Sequence, residues 1–448
     1  MVRGEPERPV TELPVLQPPA GLLEVADGLE AGGYQAWAVG GAIRDALLGR
    51  SRADWDLATD ALPEEVRALF PRTVPLGLEH GTVGVLAEDG TMYEVTTFRL
   101  DVETDGRHAV VEFAATIEED LARRDFTINS MAWRPSTEEL RDPFGGSADL
   151  QNRVLRAVGD PWRRFTEDYL RVLRAFRFAG LLELEIETET RAALAGSVEH
   201  LPRLSAERVR EELLKVIASP APSAALDLYA DYGALEGWYR ELGPAVEGPS
   251  WTETLAAVDS VPAHRSFLRV VRLLLAAGAG GGGDPEAAEA ILRRLKFSNA
   301  EIRRGTRLVE HYLPLVHPAD GSATLRKWLH SVGPDQARDL FRLHFAAVRA
   351  SGSVEGQRAL LFTWQRVHDE LVQAAPVTLS QLAVDGSDLL ELGLPRGPLV
   401  GVMLEELLEQ VIESPERNER ETLLGSAREL IELGGLDSLD SPESDGPE

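Results

Sequence analysis

Two aspartates, Asp54 and Asp56, lie close behind a glycine pair, Gly40 and Gly41, with thirteen residues separating Gly41 from Asp54 in numbering. In a β-strand, residues i and i+2 point to the same face, so both carboxylates can converge on divalent cations while Trp55 packs on the other side. Two cations bridged by carboxylates suit in-line attack on a phosphate. The pattern therefore predicts a strand that carries a nucleotidyl-transfer site.

Residues around the aspartates complete a candidate phosphate site. Gly40 and Gly41, followed by the helical run AIRDALL, indicate a strand-to-helix turn whose N–H groups and helix dipole can receive a triphosphate. Arg44 adds a positive charge on the first helical turn. Glu94, in the strand-like segment YEVTTF, can supply a third carboxylate, and the alternative is a structural salt bridge. Aspartate pairs are common in a chain with 74 acidic residues, so the spacing from the glycines carries the prediction.

The segment LARRDFTINSMAW adds a further charged group that includes Arg124. Because transfer requires charge to be neutralised on the leaving pyrophosphate, we expect Arg124 at the phosphate or ribose of the nucleotide. The alternative is a helix with an internal ion pair to the adjacent Asp125.

A second arginine-rich segment, EDYLRVLRAFRF, places Asp168, Arg171, Arg174 and Arg177 at steps of three. On one α-helix each step falls about 60° short of a full turn, so the four side chains spiral and cannot all contact one base. The carboxylate of Asp168 can accept from the exocyclic amine of C or A, while Arg171 donates to the ring edge. Arg177 is expected either to bind a phosphate group or to stabilise the fold. An amphipathic helix with i,i+3 salt bridges is the alternative.

Composition narrows the class of protein. A net charge of −28 argues against a protein that coats nucleic acid by bulk electrostatics, but it leaves a local site possible. Only three of the 46 basic residues are lysine, and we expect the arginines to concentrate along one concave face. The chain has no cysteine, and its polar N-terminus and lack of a long apolar run predict a cytoplasmic protein without a membrane partner. None of the nine histidines has a metal or triad signature.

The pattern of the chain changes near residue 160. Before it, short β-like runs at 36–40, 82–86, 93–98 and 110–113 alternate with helical ones, which predicts an α/β or α+β unit. After Pro161, apolar residues recur at helical spacing almost to the end. Residues 278–283 indicate a flexible loop between helices.

The chain resembles the bacterial tRNA nucleotidyltransferases, the CCA-adding enzymes of the class that also contains bacterial poly(A) polymerases. Six motifs in one order carry the resemblance: GGAIRDALLG, DWDLAT, YEVTTFR, RRDFTINSMAW, DPFGGSADL and EDYLRVLRAFRFA. The segment LAVDGSDLLELGLPRGPLVGVMLEELLEQVIESPERNERETLL is similar to the tail domain of this family. The resemblance implies an α+β fold, with a polymerase-β-like nucleotidyltransferase head built on a mixed sheet and an all-α neck, body and tail after it.

The resemblance also implies domain boundaries and residue roles. The boundaries are a catalytic head (21–158), a base-reading neck (159–225), a body (226–345) and a tRNA-binding tail (346–436). Outside the resemblance, composition predicts a flexible leader (1–20) and a disordered acidic end (437–448). Asp54 and Asp56 would be catalytic ligands of two Mg²⁺ ions, with Glu94 as the third catalytic carboxylate. The implied nucleotide-binding residues are Gly41, Arg44 and Arg124 at the triphosphate and sugar, Asp168 and Arg171 at the base, and also Arg174 and Arg177.

The implied activity is untemplated addition of the 3′-terminal CCA to tRNA from CTP and ATP, with release of pyrophosphate and no DNA partner. CC-only addition is the alternative, because RLDVETDGRHAVVEF corresponds to the family's flexible loop and is about two residues shorter than expected. Poly(A) polymerase is a further alternative, but the chain lacks its basic extension. A non-catalytic RNA-binding protein is the last alternative. The sequence leaves the oligomeric state open.

Overall fold

The computed structural model describes residues 16–50, 55–77, 81–104, 109–248, 250–278, 282–317, 319–373 and 375–432. Asp54, the acidic end, most of the expected leader and the centre of the expected loop at 278–283 lie outside these residues. The chain divides into two units between Arg240 and Glu241. The finer boundaries of head, neck, body and tail stay predictions.

The described strands belong to the first unit. They are β1 (Ala36–Val39), β2 (Asp56–Thr59), β3 (Thr73–Gly77), β4 (Thr82–Leu86), β5 (Met92–Thr97), β6 (Arg99–Thr104), β7 (Ala109–Phe113), β8 (Ala132–Arg134), β9 (Glu139–Arg141), β10 (Val154–Leu155) and β11 (Glu185–Ile186). Seven of them form one sheet in the order β3-β4-β5-β2-β1-β8-β9. Only β2 and β5 are parallel neighbours in it, so the sheet is mixed as predicted. β6 pairs with β7, and β10 with β11.

Helices make up most of the remaining described chain. Those of the first unit are α1 (Ala20–Ala31), α2 (Gly41–Leu47), α3 (Pro63–Leu69), α4 (Ile117–Ala122), α5 (Gly146–Gln151), α6 (Pro161–Glu167), α7 (Leu170–Leu182), α8 (Thr188–Ser197), α9 (Ala206–Ile217), α10 (Ser223–Asp231) and α11 (Leu235–Trp238). Those of the second unit are α12 (Gly243–Val246), α13 (Ser250–Ser260), α14 (Ser266–Leu274), α15 (Pro285–Arg294), α16 (Asn299–Glu310), α17 (Ser322–Val332), α18 (Pro334–Ala350), α19 (Val354–Val372), α20 (Gly386–Glu391), α21 (Pro398–Glu413) and α22 (Arg420–Glu432). The predicted mixed-sheet head with a helical remainder is therefore confirmed.

Both faces of the sheet are covered at β1, and all four residues of this strand are buried. On one face, Ala38 packs in an apolar cluster with Leu22 of α1. On the other face, Trp37 packs in a second cluster with Leu121 of α4. This two-sided burial explains why β1 has the uninterrupted apolar sequence AWAV instead of an alternating one.

The four predicted strands are present as β1, β4, β5 and β7, with ends shifted by one residue at most. The predictions missed β3, β6, β8, β9, β10 and β11. These strands are short or carry charged residues, as in RLDVET and ELR, so their apolar alternation is weak.

In the described residues of the second unit, every secondary-structure element is a helix. Helices α20, α21 and α22 enclose an apolar cluster that includes Leu389, Leu407 and Leu423. Arg326 of α17 is buried and donates to the carbonyl oxygen of Ile412 and to the carboxylate of Glu370, which ties α17 to α21 and α19. No helix in the described ranges is both long enough and apolar enough to cross a bilayer.

Helix α7 approaches α10 closely through Gly180. A Cβ atom added at Gly180 would lie 2.4 Å from the backbone nitrogen of Ala225, a distance that Cβ atoms do not adopt. Glycine is therefore needed where the two helices touch. This contact sets the position of α7, which carries Arg171, Arg174 and Arg177.

We expect Gly180→Ala to lower the free energy of unfolding by about 1–3 kcal/mol, because the added methyl group forces α7 away from α10. Gly425→Ala is the matched control, since Gly425 is also helical but has no atom within 4 Å of its Cβ position. Helix propensity predicts that this control gains up to about 1 kcal/mol. Chemical denaturation followed by circular dichroism measures both variants. Equal stability of the two would contradict the close packing.

Candidate active site

The turn from β1 into α2 carries the first predicted site residues. Gly40 has a φ of 70°, which strains any residue with a side chain. A Cβ atom at Gly40 would also lie 2.7 Å from Nη1 of Arg124, so glycine lets this guanidinium approach the turn. Gly41 begins α2, which is only seven residues long. We therefore assign most of the positive charge here to guanidinium groups rather than to the dipole of a short helix.

Asp56 and Glu94 are neighbours across the parallel pair of strands β2 and β5. Leu57 pairs with Val95, and the two acidic residues each lie one position earlier in their strands. Adjacent strands are about 4.8 Å apart, so both carboxylates share one face of the sheet. Trp55 packs against the cluster on the opposite face, as the alternation predicts. No described basic side chain forms an ion pair with Glu94, so these residues give no support to the salt-bridge alternative.

A cavity of about 700 Å³ opens in front of these carboxylates. It is lined by all the predicted site residues that the structure describes: Gly41, Arg44, Asp56, Glu94, Arg124, Asp168, Arg171, Arg174 and Arg177. Asp54 lies outside the described residues. The seven arginines of the lining, which we call the arginine wall, are Arg44, Arg99, Arg123, Arg124, Arg171, Arg174 and Arg177. With Lys215 they outnumber the five carboxylates of the lining, so the cavity is locally basic in an acidic protein.

Asp120 anchors one side of the arginine wall. Its buried carboxylate accepts hydrogen bonds from Arg123 at 3.0 Å and from Arg124 at 3.0 Å. Burial alone raises the pKa of Asp120, but attraction to Arg124 and Arg123 outweighs it and holds the pKa below its usual value. Asp120 is therefore a fixed negative charge that orients two guanidinium groups at the cavity. The alternative interpretation paired Arg124 with Asp125, but Arg124 pairs with Asp120, just before that segment, while Asp125 pairs with Arg174. Arg124 lines the cavity as well.

Asp125 anchors the neighbouring part of the wall. One oxygen of its carboxylate accepts from Nε of Arg174 at 2.7 Å, and the other accepts from Nδ2 of Asn129 at 3.0 Å. The side-chain oxygen of Asn129 in turn accepts from Arg44 at 2.6 Å. Burial raises the pKa of Asp125, but the charge of Arg174 and these hydrogen bonds have the larger, opposite effect. The pKa is therefore about 2, below its usual value. The motif RRDFTIN thus links Arg174 and Arg44 of the wall through Asp125 and Asn129.

Glu212 of α9 anchors the far end of the wall. It is 1% exposed and accepts from Arg177 at 2.7 Å and from Lys215 at 3.0 Å. Burial raises its pKa, and the charge of Arg177 more than offsets this effect, so the pKa lies below its usual value. The ring of Phe178 lies beneath the guanidinium groups of Arg177, Arg174 and Arg44 at 4.2, 5.2 and 5.0 Å from its centroid. The aromatic face therefore adds cation–π attraction at the same place.

The structure corrects the single-helix interpretation of the segment from Asp168 to Arg177. α6 ends at Glu167, Asp168 has extended backbone angles, and α7 begins at Leu170. The predicted spiral therefore applies only to the three arginines, and Asp168 lies in the break between two helices. Because of this break and the length of the arginine side chains, all four residues line the same cavity.

The two predicted base-reading residues have separate partners. Asp168 accepts from Arg208 of α9 at 2.7 Å and from the backbone N–H of Leu170 at 3.0 Å. Arg171 donates to Glu167 at 2.7 Å and to the carbonyl oxygen of Arg123 at 3.1 Å. These contacts fix the directions of both side chains before any base is present.

Sequence reasoning missed the anchoring residues Asp120, Asp125, Glu212 and Arg208. Asp125 stood inside a recognised motif, but its partner Arg174 is 49 positions away. Glu212 and Arg208 lie in AERVREELLKVI, which had only an amphipathic signal. The pairs of Asp125, Glu212 and Arg208 with distant partners leave no local pattern, so the tertiary structure was needed to find them. Asp120 differs, because its arginines are three and four positions away and sequence reasoning overlooked that local spacing.

Carboxylate oxygens are suitable ligands for a hard cation, but the described residues bring too few of them together for a metal site. Among the described residues, no three Asp, Glu or His side chains are grouped to hold a metal ion. Asp56 and Glu94 offer the oxygen donors that Mg²⁺ prefers. Asp54, two residues before Asp56, is outside the described chain.

Three family models match successive parts of the chain. They are the poly A polymerase head domain over residues 36–156, the RNA and SrmB binding site of polymerase A over 183–245, and tRNA nucleotidyltransferase domain 2 over 274–427. The CCA-adding enzyme of Levilactobacillus brevis is 35% identical over 409 residues, which are 90% of this chain and 96% of that protein. The chain belongs to the CCA-adding enzyme family.

Other CCA-adding enzymes give the same result. That of Geobacillus thermodenitrificans is 34% identical, with 87% of this chain and 92% of its own length covered. The crystal structure of the Bacillus stearothermophilus CCA-adding enzyme in complex with CTP has a TM-score of 0.76 at 30% identity. It covers 93% of this chain and 98% of that one. The resemblance read from the motifs is confirmed, and the chain is a nucleotidyltransferase of this family.

The low pKa of Asp125 predicts a specific acid sensitivity. Its folded-state pKa of about 2 lies below its usual value of 3.8, so the ionised group stabilises the fold above about pH 4 and loses this effect as the pH falls toward 2. We expect Asp125→Asn to cost roughly 2 kcal/mol at pH 7 and to flatten the decline of stability between about pH 4 and 2. Chemical denaturation across this range measures the effect, with exposed Glu88→Gln as control. Parallel profiles for wild type and Asp125→Asn would refute the assignment.

Proposed function

We propose that this protein adds the 3′-terminal CCA to tRNA, using CTP and ATP without a nucleic-acid template and releasing pyrophosphate. One observation carries the proposal: Asp56 and Glu94 face a cavity whose other walls are arginines and the Asp168–Arg171 pair. Carboxylates, phosphate-binding cations and base-edge donors and acceptors are the three requirements of nucleotidyl transfer. The relative from Bacillus stearothermophilus, solved with CTP, supports the choice of substrate.

The arginine wall would bind the triphosphate. Arg44 and Arg124 flank the turn at Gly40 and Gly41, where the absence of side chains lets phosphate oxygens approach the backbone. Their anchors, Asn129 and Asp120, already fix both guanidinium groups. Prearranged positive charge stabilises the pyrophosphate as it leaves, with little reorganisation in the transition state.

Asp168 and Arg171 would select the base. A carboxylate accepts from the amino group of C or A, and a guanidinium donates to the ring nitrogen beside it. U and G present the opposite pattern at these edges, so they would set acceptor against acceptor and donor against donor. Arg208 and Glu167 hold the two readers in place and act as positioning residues.

The carboxylates would hold two Mg²⁺ ions, with Asp54 and Asp56 as ligands and Glu94 beside them. When bound, such ions neutralise phosphate charge and favour ionisation of the attacking hydroxyl. The side chains position the tRNA 3′-hydroxyl so that its oxygen bonds to the α-phosphorus while the bond to the pyrophosphate oxygen breaks. The hydroxyl proton goes to solvent, and pyrophosphate leaves toward the arginine wall. Positioning and charge stabilisation thus account for most of the protein's part in catalysis.

The tRNA partner and a cytoplasmic location belong to the same proposal. A local basic cavity allows an RNA end to bind although the whole protein carries a charge of −28. The tail at 346–436, by analogy with the family, would contact the tRNA away from the reacting end.

Asp54→Ala, Asp56→Ala and Glu94→Gln are each expected to reduce CTP incorporation by at least about a thousandfold. Each removes one of the carboxylates that would hold the Mg²⁺ ions at the reacting phosphate. Binding of tRNA should stay within about threefold of wild type, since phosphate contacts elsewhere are unchanged. Incorporation of labelled CTP and a filter-binding assay measure the two effects. Glu88→Gln, an exposed carboxylate near β5, is the matched control. Retained turnover would remove the substituted residue from the catalytic role.

Asp168→Ala and Arg171→Ala are expected to reduce the preference for CTP and ATP over UTP and GTP by about a hundredfold, because one good bidentate base contact is worth about 1–3 kcal/mol and two partners are involved. Arg208→Ala should give a smaller loss in the same direction, because it only orients Asp168. Competition between labelled nucleotides measures the preference. An unchanged preference in all three variants would move base selection to other residues.

One incubation series tests the function itself and its alternatives. The purified protein is given Mg²⁺, one labelled nucleotide at a time, and tRNA ending before, within or after CCA. Addition of a single A to tRNA ending in CC supports the proposal, and failure at this step with normal C addition indicates CC-only activity. Unlimited A addition indicates a poly(A) polymerase. No addition to any RNA indicates a binding protein.

A further inference from the structure

An apolar surface lies beside the two carboxylates and has no part in the mechanism above. It consists of Val74 and Leu76 on β3 and Met92 on β5, which are 44%, 41% and 46% exposed. We call these three residues the apolar ledge. A Cβ atom at Gly84 of β4 would lie 2.9 Å from both Leu76 and Met92, so these side chains meet over the glycine. The ledge is therefore one surface across three strands.

The strand register puts the ledge on the same face as the carboxylates. Gly84 pairs with Val74 on one side and with Glu94 on the other. Met92 lies two residues before Glu94 on β5, so it shares that face. In the order of the strands, the glycine turn lies at β1, Asp56 on β2, Glu94 with Met92 on β5, and Val74 and Leu76 beyond them on β3. The carboxylates thus lie between the phosphate-binding turn and the ledge.

A second cavity, of about 460 Å³, begins at the same carboxylates. It shares Asp56 and Glu94 with the arginine-lined cavity and no other lining residue. Met92 is the one residue of the ledge that lines it, and the cavity reaches Pro19 and also Trp55 and Tyr93, which pack toward the opposite face. None of its described lining residues is basic. Apolar side chains without cations suit a nucleoside rather than a phosphate.

We infer that the ledge and this second cavity hold the 3′-terminal nucleoside of the RNA acceptor. The inference rests on the proposed function. In-line attack requires the hydroxyl to approach the α-phosphate from the side opposite the leaving pyrophosphate. The arginine wall takes the pyrophosphate on one side of Asp56 and Glu94, so the attacking ribose enters from the other. Contact with apolar side chains does not depend on the hydrogen-bond pattern of the base, which suits an acceptor whose last nucleotide changes after each addition.

A kinetic experiment separates binding of the acceptor from binding of the nucleotide. Leu76→Ser and Met92→Ser are each expected to raise KM for tRNA lacking CCA about tenfold, which is the scale of losing one partly buried apolar side chain from the contact. KM for CTP should stay within about twofold of wild type. Met92→Leu keeps the apolar contact and should restore the wild-type value. Leu69→Ser is the matched control, because Leu69 is 36% exposed on α3.

A cross-linking experiment tests the position directly, because the chain contains no cysteine. Met92→Cys introduces a single thiol, and the acceptor tRNA carries 4-thiouridine as its last nucleotide. Diamide oxidises the two sulfur groups to one disulfide and takes up the two hydrogens. We expect this cross-link with Met92→Cys, and not with Leu69→Cys or with 4-thiouridine in the anticodon loop. Absence of the link, or equal yield from Leu69→Cys, overturns the inference.

The outcomes distinguish this inference from the function on which it rests. A wild-type protein that adds no nucleotide overturns the proposed function. Wild-type turnover together with unchanged KM for tRNA in both serine variants overturns the role of the ledge alone. Circular dichroism of each variant verifies its folding before the kinetics are compared.

Discussion

Ion pairs between buried carboxylates and cavity arginines are the constraint on which the site depends. Asp120, Asp125 and Glu212 lose their hydration on folding, and burial by itself raises the pKa of each. The guanidinium groups reverse this shift, so each carboxylate stays ionised and each arginine is held in one direction. Buried pairs of this kind add little to net stability compared with an apolar core. Their effect here is to prearrange positive charge where a triphosphate can bind.

The mixed sheet supplies the other half of the site through its register. The parallel pairing of β2 with β5 puts Asp56 next to Glu94 on one face, while Leu57 and Val95 enter the core on the other. A shift of one residue would exchange these faces and bury the carboxylates in apolar packing. Burial of the alternate residues therefore fixes the position of the acidic ones. The same face continues outward to the apolar ledge, so the strand order also arranges the two cavities about Asp56 and Glu94.

An acidic protein can contain a basic site because dissolved salt screens exposed charges that lie more than about one Debye length away. Screening limits the reach of surface charges to about 8–10 Å at physiological ionic strength. The arginine wall and Lys215 are gathered within one cavity, and the acidic excess lies elsewhere in the chain. Seven arginines line this cavity, and the concentration of the others along one concave face stays a prediction. Net charge alone was a poor guide to the ligand.

The sequence by itself determined the family, the mixed-sheet head with a helical remainder, and the set of site residues that come together. These features are local, since they depend on strand alternation, glycine turns and motif spacing within a few residues. The tertiary structure alone decided the break between α6 and α7, the distant carboxylates that anchor Arg174, Arg177 and Arg208, and the surface beyond Glu94. Asp125 and Arg174 are 49 residues apart, and Asp168 and Arg208 are 40 apart. Such partners are chosen by packing between distant elements, and no short segment of the chain contains both.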